Sequence, residues 1–226
     1  KFVKKGNLPH CIMLTGITGI GKTTIARILK NKLQCNDLDY KEVNCASDRG
    51  IDAARDISNN IWTGGLAGPT RVWCLDEFHQ TTTAAQQSLL KTLEDFPPHA
   101  YIFILTSEPH KVIKAIHSRS TQIKLSPLQP SEICQLVQHV ADREEIELTE
   151  DVRDKIAEVS EGSARKALVV LNQIQGLSNE EEMLEAIQKA DLKKAAFDLA
   201  KLLFYPKPSW KDISKAIKDM EEEPET

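Results

Sequence analysis

Short apolar runs alternate with stretches of helical periodicity from residue 10 to about residue 125. The runs Cys11–Leu14, Tyr40–Asn44, Arg71–Leu75, Tyr101–Leu105 and Thr121–Lys124 have the length and continuity of strands buried on both faces. Between them, Thr23–Leu33, Gly50–Asn60, Thr83–Glu94 and a short segment near Lys111–Ile116 place apolar residues on one helical face. Strands that alternate with helices predict an α/β fold, a parallel five-stranded sheet flanked by helices. The pairs Gly64-Gly65 and Gly68-Pro69 predict an exposed loop before the third strand. After Pro127 the strand-like runs stop. Pro130–Arg143, Thr149–Ser160 and Ser163–Gln175 read as amphipathic helices of a small all-α domain, with Ser131 and Thr149 as N-caps of the first two. Further helices are expected over Asn179–Lys189, Asp191–Leu203 and Trp210–Met220, the last pair separated by Pro206 and Pro208. The expected division is therefore 1–126, 127–177 and a helical segment over 178–226.

Composition narrows the class. A chain of 226 residues allows one or two domains, and its apolar and charged fractions are those of a globular protein. No apolar stretch approaches the roughly 18 residues of a membrane span, so no membrane association is expected. The five cysteines, Cys11, Cys35, Cys45, Cys74 and Cys134, are odd in number, widely spaced and without a CxxC pair. They predict neither a disulfide framework nor a zinc site, and they suit a reducing, cytoplasmic setting. A net charge of −4 argues against a wholly basic surface. The basic start Lys1-Phe2-Val3-Lys4-Lys5, within a segment to Asn7 that reads as the end of a helix, contrasts with the acidic Glu221-Glu222-Glu223.

The candidate chemistry begins at Gly16-Ile17-Thr18-Gly19-Ile20-Gly21-Lys22-Thr23-Thr24, which fits the phosphate-loop pattern G-x-x-x-x-G-K-[ST] between an expected strand and helix. In that pattern glycines let backbone N–H groups approach a polyphosphate, and the helix N-terminus adds partial positive charge. Lys22 is expected to reach the β- and γ-phosphates, and Thr23 to hold Mg²⁺ by its hydroxyl. The third strand closes on Asp76-Glu77. Asp76 is the expected partner of Mg²⁺, and Glu77 the group that orients an attacking water. A second acid after the magnesium aspartate favours hydrolysis over transfer to a small molecule. Thr106 and Ser107 end the fourth strand, either beside these acids or as caps of the following short helix.

Taken together, these segments resemble an AAA+ ATPase, specifically a sliding-clamp loader subunit. Asp76-Glu77-Phe78-His79, Ser88-Leu89-Leu90-Lys91-Thr92-Leu93-Glu94-Asp95, Leu105-Thr106-Ser107-Glu108-Pro109 and Ser118-Arg119-Ser120 are similar in order and spacing to the bacterial gamma/tau subunit. Asn44-Cys45-Ala46-Ser47-Asp48-Arg49-Gly50-Ile51-Asp52 is similar to replication factor C small subunits. The resemblance covers about residues 8 to 176 and implies an AAA+ P-loop NTPase core followed by a small helical lid. It also implies an incomplete collar over 178–226.

At matching positions the resemblance implies particular roles. Arg119 matches the family's finger, which enters the neighbouring subunit's ATP site; a charge delivered in trans stabilises the developing γ-phosphoryl charge. Thr106 and Ser107 fall at sensor 1. Arg165, in Gly162-Ser163-Ala164-Arg165-Lys166-Ala167-Leu168, matches sensor 2, and Lys91 matches a basic position at the inter-subunit face. The departures are a loop that lacks the usual Gly-Pro-Pro-Gly-Thr start, and Ser120 in place of the cysteine after the finger. The four-cysteine zinc module of gamma/tau is missing too, with only Cys35 and Cys45 in that region. Most of the adenine-side segment and of the collar is also not found, so the chain reads as a two-domain excerpt or a divergent short member; a viral source, acting in a host cytoplasm, and a nuclear or nucleoid location are the open alternatives to a cytoplasmic one.

The implied ligands and partners are ATP, Mg²⁺, other loader subunits in a pentameric ring, a sliding clamp and primer–template DNA. Arg49, Gly50 and Arg55, at or just after a helix start, are the DNA-facing candidates, with ordinary helix-surface arginines as the equal alternative. Two other readings stay open: a different AAA+ DNA-remodelling ATPase, such as a junction motor or an initiator, and a non-hydrolysing structural subunit of a loader. Intact Lys22, Thr23, Asp76 and Glu77 argue against the second.

Overall fold

The computed structural model describes residues 8–177 and 179–189. The expected helices over 191–203 and 210–220, the helical reading of Lys1–Asn7 and most of the expected 178–226 segment lie outside them. The chain divides into two compact units, one up to Pro127 and one from Leu128.

In the first unit, β1 (Cys11–Thr15), β2 (Tyr40–Asn44), β3 (Arg71–Asp76), β4 (Ala100–Thr106) and β5 (Thr121–Lys124) form one sheet in the order β2-β3-β4-β1-β5. Every pairing is parallel. This is the five-stranded parallel sheet that the alternating pattern predicts, and each boundary falls within a residue or two of expectation.

The alternation of side chains along a strand sends each one into two cores. On one face Cys11 and Met13 of β1, Trp73 and Leu75 of β3, and Ile102 and Ile104 of β4 pack with Ala54 and Ile57 of α2 (Ile51–Asn60). Leu93 of α4 (Leu90–Glu94) and Ile116 of α5 (Lys114–Arg119) join the same core. On the other face Ile12, Leu14, Val72, Cys74, Phe103 and Leu105 pack against Ala26 and Leu29 of α1 (Lys22–Lys32). Burial on both faces explains why the strands read as continuous apolar runs and not as alternating ones. Cys11 and Cys74 sit in these cores as small hydrophobes, and burial pushes both thiols up to about 12. Cys35 and Cys45 are buried on opposite faces of the sheet.

Two expectations change in detail. The single helix expected over Thr83–Glu94 is broken at Leu89 into α3 (Thr83–Ser88) and α4. The helix expected near Lys111–Ile116 is a 3₁₀ turn over Pro109–Lys111 followed by α5, because Pro109 fits the first turn of a helix and the chain reopens at Val112 and Ile113.

The second unit packs α6 (Pro130–Arg143), α7 (Glu150–Ser160) and α8 (Ala164–Ile174) around Ile133, Val137, Ile156, Val170 and Leu171. Residues 180–189 are also helical, and Met183 and Ile187 join that core. Thr149 caps α7 by accepting from the Val152 N–H. Ser131 does not cap α6. That place belongs to Gln129, in a reciprocal capping box with Glu132, because Pro130 takes the first helical position and Ser131 falls inside the helix.

The loop before β3 is held by a carboxylate. Asp39 is 2% exposed and accepts from the backbone N–H of Ala67 at 2.9 Å and from that of Leu66. Burial opposes its charge, but the N–H groups of Ala67, Leu66 and Gly68 outweigh that and hold its carboxyl below the usual carboxylate range. A carboxyl depressed in the folded state adds stability above its unfolded value of about 3.9, and that stability is lost as pH falls through the folded value. Asp39→Asn is therefore expected to unfold at lower denaturant than the parent at pH 7. The gap should narrow below about pH 4 in urea titrations; a gap that stays constant down to pH 2.5 would contradict the assignment.

Candidate nucleotide-binding site

Strand register sets the site. β4 lies between β1 and β3, with Thr15 level with Thr106 and Leu75 level with Ile104. The carboxyl ends of three neighbouring strands therefore open at one edge, and the chain leaves each through a candidate residue: Gly16 after β1, Glu77 after β3 and Ser107 after β4. Crevices at the carboxyl edge of an open parallel sheet are where such folds bind ligands.

The loop from Gly16 to Gly21 turns from β1 into α1. A Cβ on Gly16 would stand 2.9 Å from the Leu125 carbonyl oxygen, so the loop passes too close to the chain after β5 for any side chain there. Gly21 has φ 100° and ψ 18° at the N-cap of α1, a left-handed conformation that costs other residues about 1 kcal/mol or more. Ile20 and Lys22 are buried, whereas Thr18 and Thr24 are exposed and Gly19 is half-buried. The Lys22 ammonium donates to the carbonyls of Gly16 and Ile17, 3.0 Å each, and so lies against the inside of the loop.

Across the edge, the Thr23 hydroxyl donates to Asp76 Oδ2 at 2.8 Å. Two hard oxygen donors from elements fifty-three positions apart meet here, the donor set that suits a magnesium ion. The other Asp76 oxygen accepts from the Glu77 N–H at 2.8 Å. Glu77 itself is left-handed, with φ 52°, a conformation uncommon for a residue with a side chain and a frequent mark of functional sites.

Glu77 is joined to two residues that the sequence reading gave no role, His79 and Glu108. Its carboxylate lies 3.3 Å from His79 Nε2, and Glu108 lies 3.3 Å from the same nitrogen. His79 Nδ1 is 3.3 Å from the Thr106 hydroxyl, which also accepts from the Glu108 N–H at 3.1 Å. Lys111 is paired with Glu108 at 2.8 Å and is the foremost cause of holding the Glu108 carboxyl below the usual range, with burial opposing it. Thr106 is fully buried within this cluster, and Ser107 is half-buried beside it. His79 and Glu108 both stood inside recognisable motifs, but only the sheet brings the ends of β3 and β4 together.

The remaining candidates lie elsewhere. Arg119 ends α5 just before β5, and Ile12 pairs with Thr121, so it lies at the amino edge of the sheet, opposite the crevice. There it pairs with Glu94, with Nε at 2.9 Å, and donates to the Ala115 carbonyl at 2.9 Å. Arg165 is exposed in the first turn of α8, whose N-cap Ser163 accepts from the Lys166 N–H. Lys91 is exposed on α4. Arg49 and Gly50 are exposed just before α2, with Arg49 Nε on the Ala46 carbonyl at 2.7 Å, and Arg55 pairs with Asp52 at 3.6 Å. Thus Lys22, Thr23, Asp76, Glu77 and Thr106 share one edge, and Arg119 does not.

The chain is similar in sequence and fold to known proteins. A family model described as DNA polymerase III, delta subunit, matches residues 46–129. The DNA polymerase III subunit gamma of Buchnera aphidicola (subsp. Schizaphis graminum) is 30% identical, over 88% of this chain and 61% of that relative. The gamma/tau subunit of Mycoplasma genitalium is 29% identical, over 80% of this chain and 34% of the relative. The replication factor C small subunit of Methanoregula boonei is 30% identical, over 82% and 58%. The chain thus spans between about a third and three fifths of the length of these relatives. Among solved structures, Thermotoga maritima RuvB matches with a TM-score of 0.71 at 18% identity, covering 96% of this chain and 77% of that one.

The sheet and the structural match define an AAA+ P-loop fold. In sequence the chain is similar to DNA polymerase III gamma and gamma/tau subunits and to replication factor C small subunits.

The tight approach at Gly16 is testable without any ligand. Gly16→Ala is expected to lower stability by about 1–3 kcal/mol in chemical denaturation. Gly64→Ala, where an added Cβ meets nothing within 4 Å, should change it by less than about 0.5 kcal/mol. Equal effects at the two positions would refute the clash.

Proposed function

We propose that the chain is an ATP-binding and ATP-hydrolysing subunit of a sliding-clamp loader, which uses ATP to open a clamp and place it on primer–template DNA. The observation that carries the reading is the 2.8 Å contact of Thr23 with Asp76, beside Lys22 and Glu77, in a chain similar to gamma/tau and replication factor C small subunits. In this reading residues 1–126 are the ATPase domain, 127–177 the helical lid and 178–226 the start of a collar.

Gly16, Thr18, Gly19, Ile20, Gly21 and Thr24 shape the phosphate loop, and Lys22 neutralises the β- and γ-phosphates. Thr23 and Asp76 fit magnesium, which when bound would neutralise charge on the phosphate oxygens. Glu77 takes the proton of the attacking water, and Thr106 with Ser107 reads the terminal phosphate. Arg165 closes the lid on the nucleotide. Because Arg119 stands at the edge opposite Lys22 and Asp76, it serves the ATP of an adjoining subunit and not its own. That need for a neighbour supports assembly into a ring with other loader subunits. Arg49, Gly50 and Arg55 offer exposed donors for a DNA backbone, with affinity gathered from several subunits acting together.

Calorimetry and turnover assays test the reading. Lys22→Ala is expected to weaken ATP binding, while Glu77→Gln should keep binding and lose about a hundredfold or more in turnover. Arg119→Ala mixed with Glu77→Gln should regain some activity, since the Glu77→Gln subunit lends its intact Arg119 to the site of the Arg119→Ala subunit, which keeps Glu77. Stimulation by primed DNA and clamp together supports a loader, whereas stimulation by junction DNA alone would make the chain a junction motor. Failure of the folded protein to take up ATP would end the proposal.

A further inference from the structure

His79 is a buried imidazole at the crevice, and its surroundings are specific. Its side chain is 4% exposed, between the carboxylates of Glu77 and Glu108 on one side and the Thr106 hydroxyl on the other. The carboxylates of Glu77 and Glu108 can only accept, so Nε2, which faces both at 3.3 Å, carries a ring proton. In the neutral ring Nδ1 is then the acceptor, and the Thr106 hydroxyl, which itself accepts from the Glu108 N–H at 3.1 Å, donates to it. Glu108 is fixed in turn by Lys111 at 2.8 Å. Glu77 meets the same ring nitrogen at 3.3 Å, so His79 is in place to hold its carboxylate.

From this geometry we propose that His79 is a positioning residue that ties the carboxylate of Glu77 to the hydroxyl of Thr106. The ring donates from Nε2 to Glu77, and the ring's own orientation and tautomer are set by Thr106 at Nδ1. A base held by a second group that is itself held by a third is the general arrangement by which a proton acceptor is aimed. The consequence is a coupling. A change of partner at the Thr106 hydroxyl removes the bond that orients His79, and the Glu77 carboxylate moves with it. The end of β4 thereby reports to the end of β3 through one side chain. The inference rests on the reading of the crevice as an ATPase site and adds to it a residue, His79, and a link between two others.

The test compares purified variants for ATP affinity by calorimetry and for single-turnover hydrolysis at saturating ATP. His79→Ala is expected to bind ATP within about twofold of the parent and to hydrolyse it about tenfold to a hundredfold more slowly, the usual effect of a misplaced catalytic group. His79→Gln, which keeps a donor near the Nε2 position, should recover most of that loss. Adding Thr106→Val to His79→Ala should slow hydrolysis by a smaller factor than Thr106→Val slows the parent, because the part of its effect that runs through His79 is already lost. A purely structural role would instead lower affinity and turnover together and give additive losses, and that result overturns the coupling. Hydrolysis by His79→Ala at the parental rate overturns it as well. Should His79→Ala not fold, His79→Asn, which keeps the hydroxyl end and drops the carboxylate end, must show the same loss for the inference to stand. A folded parent that does not hydrolyse ATP refutes the ATPase reading itself, whereas parental activity without an effect at His79 refutes only the coupling.

Discussion

The insertion of β4 between β1 and β3 is the constraint on which the site depends. Parallel pairing with Thr15 beside Thr106 and Leu75 beside Ile104 fixes the heights of three strand ends to within a residue. A slip of one residue would turn every side chain of a strand to the other face. Here both faces are filled, by Met13, Trp73 and Ile102 on one side and Leu14, Cys74 and Phe103 on the other. Register is therefore enforced twice, and the crevice inherits the rigidity of the sheet. The 2.8 Å contact between Thr23 and Asp76 is a by-product of that register, because neither residue could reach the other if β1 and β3 lay at different heights.

Strain and burial concentrate where the chemistry is expected. Gly21 and Glu77 are both left-handed, and Gly16 passes under Leu125 with no room for a Cβ. The left-handed Glu77 places its own N–H on Asp76 while its carboxylate turns to His79. One backbone conformation thus separates two adjacent acids into different tasks, one beside Thr23 and the other beside the imidazole. The amino edge of the sheet, by contrast, holds Arg119 against Glu94. The two edges of one parallel sheet thus hold Lys22 and Asp76 at one end and Arg119 at the other, and on the proposed reading each edge supplies half of a site shared with a neighbour.

Much of this was legible in the residues. The apolar runs gave five strands because strands buried on both faces have no alternation to confuse them with surface elements. The phosphate-loop spacing was legible because its chemistry is local: glycines, lysine and threonine act within one turn. Thr149 was recognisable as a cap for the same reason. Ser131 was misplaced because Pro130 and the Gln129–Glu132 pair compete for the same helix start, and only the geometry of that turn decides between them. The break at Leu89 in the helix after the acids left no mark in the periodicity.

The sequence by itself determined the elements, the phosphate loop and the identities of the acids, since each depends on neighbours along the chain. It could not give the strand order. Only the tertiary structure decided that β4 lies beside both β1 and β3, and so that His79 meets Glu108 and Thr106 and that Arg119 lies at the far edge. Contacts between residues distant in the chain follow from which faces pack and in what order, and that choice is made by the burial of whole elements and not by any local pattern.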